Sequence, residues 1–137
     1  MATDENNGQA SEVVSEQELD KKLRDLYLRG VSAMELRNWG YVISLYQAIL
    51  KQEPRFLDGR RQLRLAAVKQ QAGKKPFGTE SVKAMALQRE VKKNPAEAMV
   101  AVEKDVLATD PFNSQGNQIL FEAAMACEMP MTAGFAL

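Results

Sequence analysis

The sequence predicts an all-α chain of tandem antiparallel helical hairpins, an α-solenoid of about seven helices with the last one truncated. Three observations carry that expectation. Apolar residues recur at spacings of three and four along most of the chain, which is the period of amphipathic helices. Prolines and short polar breaks cut those stretches into rods of ordinary helical length. Pro95-x-x-Ala98 returns as Pro130-x-x-Ala133 at a period of 35, and Glu53-Pro54 and Asp110-Pro111 each close a second helix; such a period in helix pairs marks a solenoid. No segment shows the strict alternation and β-branched enrichment of strands.

The first helix is expected over residues 19–36, where Leu19, Leu23, Leu26, Tyr27, Gly30, Ala33 and Met34 form one stripe. A polar break at Arg37 and Asn38 precedes Trp39, Val42, Ile43, Tyr46, Ile49 and Leu50, and Pro54 stops that second helix. So short a break forces a hairpin. The third helix, Leu57–Gln71, uses Leu57, Leu63, Ala66 and Ala67, and gives way to residues 73–79, GKKPFGT, a loop by its two glycines and proline. Thr79 and Ser81 offer caps for a fourth helix running to about residue 93, where Asn94-Pro95 turns the chain into the fifth. Met99, Val102, Val106 and Leu107 line that helix until Asp110-Pro111; Asn113 and Ser114 open the sixth, and Pro130 opens the seventh. The apolar ending Gly134-Phe135-Ala136-Leu137 predicts a truncated hairpin from a longer protein, because solenoids end in polar capping helices.

Charge is divided along the chain. Residues 1–20 carry six acidic side chains and no basic one, which leaves 18 basic against 12 acidic residues on the remainder. Residues 1–16 are expected to form a disordered acidic tail, too poor in large apolar groups to offset their ordering entropy, ahead of a helical repeat domain at 17–137. Residues 12–20 are expected to fold back on residues 60–75 by charge attraction and to compete there with a partner. No basic-then-apolar leader and no membrane-length apolar run is present, and the single cysteine excludes an internal disulfide framework. A cytoplasmic location is expected.

There is no histidine, which removes the commonest general base, the histidine-assisted nucleophiles and most zinc sites. A non-enzyme with no cofactor and no metal is expected. Gly73 and Gly78 mimic the glycine spacing of a phosphate-binding loop, but Thr79 stands where its lysine belongs and no strand precedes them. Asp110, Asn113 and Asn117 read as helix termination and capping, Trp39 and Tyr46 as core, and Cys127 as a small apolar filler.

Leu26, Gly30, Ala33, Val42, Tyr46, Ile49, Leu50 and Pro54 occupy the patterned positions of a tetratricopeptide repeat, and the chain resembles that family over about residues 19–137. Asn94-Pro95-x-x-Ala98 and Asp110-Pro111-x-Asn113 continue the likeness. Arg37 replaces the family's turn glycine, and one residue is inserted between Ala98 and Pro111. The resemblance implies a protein-binding scaffold whose first helices line a concave groove for a peptide or helix. Its groove positions here are Arg24, Tyr27, Val31, Met34 and Glu35, then Arg61, Leu65 and Lys69. Tyr27 and Val31 stand where the carboxylate-clamping subclass has lysine and asparagine, so an acidic amphipathic protein segment is the expected partner. The rival partner is a nucleic acid or other polyanion on the basic stretch 55–75; zero net charge and the lack of interleaved aromatics argue against it. Recruitment for a larger enzyme is a further alternative.

Overall fold

The computed structural model describes residues 13–72 and 80–137, and among them every regular element is helical. The expected loop at 73–79 and residues 1–12 of the expected tail lie outside the described residues. A single 3-10 turn, Glu16–Glu18, leads into α1 (Lys21–Glu35), α2 (Trp39–Gln52) and α3 (Leu57–Gln71). Then follow α4 (Glu80–Gln88), α5 (Glu90–Lys93), α6 (Pro95–Val102), a π-helical turn (Glu103–Leu107), α7 (Ser114–Ala126) and α8 (Pro130–Ala136). No described helix is long and apolar enough to cross a membrane.

The helix starts follow from local chemistry. Asp20, Asn94 and Asn113 lend side-chain oxygens to the backbone N–H groups of Leu23, Glu97 and Gly116, at 2.9, 3.3 and 2.8 Å, which satisfies donors that each first turn leaves free. Pro95 and Pro130 fill first-turn positions that need no N–H donor. The fourth expected helix is interrupted at Arg89, which divides it into α4 and α5. The residue inserted between Ala98 and Pro111 coincides with the π-helical turn, the way a helix absorbs one extra residue.

Two hairpin turns are built alike. Arg37 N–H donates to Met34 O and Asn38 N–H to Ala33 O; Glu128 N–H donates to Met125 O and Met129 N–H to Ala124 O. Both are Schellman caps, and both put a side-chain-bearing residue in the left-handed region, Arg37 at φ 58° and Glu128 at φ 59°. That conformation costs an L residue about 1–2 kcal/mol, against about 0.5–1 kcal/mol of extra entropy lost by glycine. Arg37→Gly is therefore expected to stabilise the chain by about 0.5–1 kcal/mol, read as a higher urea midpoint at unchanged slope.

Consecutive helices pack as neighbours within α1 to α3 and within α4 to α8, and the apolar residues gather in two clusters. One joins α1, α2 and α3 around Val42, Tyr46, Ile49, Phe56, Leu63 and Ala66. The other joins α4 to α8 around Met99, Val102, Val106, Ile119, Leu120 and Met129. In the first cluster Gly30 lets α1 approach α2 so closely that a methyl there would overlap the Tyr46 ring. α2 meets α6 at only a few points.

Candidate functional site

The eight residues expected to line a groove fall into two groups. Arg24, Tyr27 and Met34 are held in the fold. Arg24 donates to the carbonyls of Glu16, Gln17 and Leu19. Tyr27 stacks on Tyr46 with ring centroids 5.8 Å apart and meets the Phe56 ring edge-on at 5.3 Å, while Met34 packs on the first cluster. Val31, Glu35, Arg61, Leu65 and Lys69 are exposed. Burial raises Tyr27 and Tyr46 above the ordinary phenol range; Glu16 adds to both shifts and Asp58 to that of Tyr27. The edge-on Phe56 contact puts the start of α3 beside the tyrosine pair.

α1 and α3 run the same way, each antiparallel to α2 across a short turn. From Tyr27, one turn along α1 reaches Val31, and successive turns from Asp58 along α3 reach Arg61, Leu65 and Lys69. Leu28, Val31 and Leu65 are 49%, 37% and 45% exposed, enough for an incoming side chain to bury. Arg61 pairs at 3.3 Å with Asp58 in the open, a contact too solvated to hold it firmly. At the head of this face Val14 N–H donates to Arg55 O at 2.9 Å, so residues 13–20 fold back onto Arg24 and Arg55.

A second feature lies on the other side of α3. Arg60 and Arg64, read from sequence as part of a basic surface stretch, turn inward. Arg60 is 1% exposed. Its Nη2 donates to Pro54 O at 3.1 Å, and its Nη1 lies 3.6 Å from Glu103 Oε2, too far for a hydrogen bond. Its Nε and Nη1 have no hydrogen-bond partner. Burial lowers the Arg60 pKa, Glu103 opposes that shift, and Arg64 adds to it. Arg64 reaches Glu103 Oε1 at 3.4 Å, donates to Pro111 O and Asn117 Oδ1, and sits 5.1 Å from the centre of the Phe135 ring.

Glu103 begins the π-helical turn, so the inserted residue and the buried carboxylate occupy one place. Beside them a cleft of about 300 Å³ opens between α2, α3 and α6. Ser44, Gln47, Ala48 and Lys51 line it from α2, Arg60 and Leu63 from α3, and Met99, Val100, Glu103 and Lys104 from α6 and the π-helical turn. Sequence reasoning missed this site, although a signal existed: Arg60 shares the inward stripe with Leu57, Leu63 and Ala67, and Glu103 shares one with Met99, Val102 and Val106.

Among the described residues no group of three or more histidine, cysteine or acidic side chains could hold a metal ion. Cys127 packs against the second cluster, and burial pushes its thiol up despite the opposing charge of Arg55, away from the reactive thiolate. No protein-family model matches the chain, and comparison with curated proteins and with solved structures found no match.

Proposed function

We propose that this chain is a non-catalytic interaction module, a tetratricopeptide-like stack of helical hairpins that binds an acidic amphipathic protein segment across α1 and α3. The observation that carries the reading is that Leu28 and Val31 on α1 and Leu65 on α3 are exposed apolar residues, with the exposed cations Arg61 and Lys69 also on α3. A partner helix would bury leucine-type side chains there and set its carboxylates against the two cations. Three further features favour repeat geometry: the Gly30–Tyr46 contact, the left-handed residue at the first turn, and the capped starts of α6 and α7.

The polyanion reading has less support. Arg60 and Arg64 are committed inside the fold, which leaves Arg61 and Lys69 as the exposed cations of 57–71. A synthetic helix of about 16 residues, with leucines on one face and glutamates beside them, tests the proposal. It is expected to shift the amide resonances of Val31, Leu65 and Lys69, and R61E/K69E should weaken it about 10-fold with only mild salt dependence. Affinity unchanged from the parent in both L65A and R61E/K69E, or tighter binding of a single-stranded oligonucleotide with steep salt dependence, would remove the reading.

A further inference from the structure

The cleft between α2, α3 and α6 is separate from the α1–α3 face, and its chemistry is one-sided. Arg60 and Arg64 face the single carboxylate of Glu103, and exposed Lys51 and Lys104 line the cleft from α2 and the π-helical turn. At this contact two guanidinium groups share one carboxylate, while Glu80, the other buried carboxylate, accepts from Thr109 Oγ1. The buried Nε and Nη1 of Arg60 also lack hydrogen-bond acceptors, which is costly in a dry site. Nε and Nη1 lie on different edges of the guanidinium, and either can give a charge-assisted hydrogen bond to a carboxylate oxygen.

Leu50, Pro54, Leu63, Met99 and Val100 make the rest of the lining apolar, with Ser44 and Gln47 as polar exceptions. The volume is at the lower end of small-ligand sites. Inorganic anions would leave most of that wall unfilled. The cleft exists because α6 does not close onto α2 and α3: the two apolar clusters stay separate, and the arginine–glutamate contacts bridge them.

We propose that this cleft binds a carboxylate carried on a short apolar body, with Arg60 receiving the carboxylate oxygens, Lys51 and Lys104 drawing it in, and Leu63, Met99 and Val100 covering the body. A small turn of the Arg60 guanidinium away from its long contact with Glu103 presents its free donors to the ligand. The same group can arrive as a free fatty-acid-like molecule or as an acidic side chain flanked by leucines on another protein.

Octanoate, 1-octanol, inorganic phosphate and an end-blocked peptide of leucines around one glutamate are titrated separately, with amide shifts as the readout. Octanoate, the peptide or both are expected to move Ser44, Ala48, Val100 and Lys104 and to leave Val31 and Leu65 in place. Octanoate alone assigns a small-molecule site, and the peptide alone assigns a protein side chain. Ala48→Trp, which fills the mouth from an exposed helical position, and K51E/K104E should each weaken binding by about 10-fold or more while the melting temperature stays within about 2 °C. Arg60→Lys, which keeps the charge but removes the Nε and Nη1 donors, should weaken it similarly. Octanol binding as tightly as octanoate, phosphate binding as tightly as either carboxylate, or affinity unchanged in A48W would overturn the assignment. Because the reporter residues differ from those of the α1–α3 face, failure here is distinct from failure of the peptide reading.

Discussion

Glu103→Ala is expected to lower stability by about 3–5 kcal/mol, the cost of removing one partner from a buried ion pair. The size follows from what is left behind. Arg60 is buried, two of its three nitrogens already lack hydrogen bonds, and Glu103 is the carboxylate that offsets its charge. Arg64 would lose the same partner but retains Pro111 O and Asn117 Oδ1, so the penalty falls mainly on Arg60. A chain of this length has of order 7–20 kcal/mol in total, so one substitution removes a large share. The melting temperature should fall by about 10–20 °C.

The mode of unfolding should change as well. Because the contacts of Glu103 join two separate apolar clusters, the variant is expected to melt in two steps where the parent melts in one, visible as non-coincident fluorescence and far-ultraviolet transitions. A control isolates the charge. Arg60→Met with Glu103→Leu removes both partners, and such replacements are often neutral or stabilising by about 1–4 kcal/mol. The double variant should therefore recover most of the loss. A Glu103→Ala melt within about 1 kcal/mol of the parent would mean that water already reaches Arg60.

How much of this could be read from the chain depends on how local each cause is. Helix starts were legible because Asn94-Pro95, Asn113-Ser114 and Pro130 act within four residues of themselves. The all-helical class was legible for the same reason, since the three-and-four spacing runs through nearly every segment. The break at Arg89 was not. Ala86, Leu87, Gln88, Arg89 and Glu90 all favour helix, and the interruption comes from packing, with α4 lying on α7 and the π-helical turn while α5 lies on α6. The inserted residue was visible as a spacing error, but its form as a π-helical turn that brings Glu103 toward Arg60 needed the partner helix.

The candidate sites divide along the same line. Val31, Glu35, Arg61, Leu65 and Lys69 were named as groove positions from the family resemblance, and all five are exposed. Arg24 could not be assigned from its helix, because its partners are carbonyls of the segment before it. Reading 55–75 as a basic run treated charge as a property of the stretch, whereas facing is a property of each position. Arg61 points out and Arg60, one residue earlier and a hundred degrees around the helix, points in. That the inward arginine would meet a glutamate from a distant helix is information no local pattern holds.

Gly30→Ala is expected to cost about 3 kcal/mol, the upper end for inserting a methyl group into a packed core. The new Cβ would lie 2.5 Å from Tyr46 Cζ and 2.7 Å from its hydroxyl oxygen, inside van der Waals contact. Tyr46 has nowhere to retreat. Its ring is 1% exposed and stacks on Tyr27, Tyr27 is backed by the edge of Phe56, and the Tyr46 hydroxyl donates to Tyr27 O at 3.4 Å. Relief therefore requires α1 and α2 to separate or the ring to leave its rotamer, and either disturbs the register from which the α1–α3 face is built. Gly134→Ala is the matched control: no atom lies within 4 Å of a methyl there, so ordinary helix propensity should give a gain of about 0.5–1 kcal/mol. A second cycle separates collision from lost flexibility. Tyr46→Leu alone opens space and destabilises, but in its presence Gly30→Ala should become nearly neutral, a coupling of about 1–3 kcal/mol in urea titrations. Strict additivity of the two substitutions would mean that the helices already stand far enough apart for a methyl group, and the repeat-like approach of α1 to α2 would go with it.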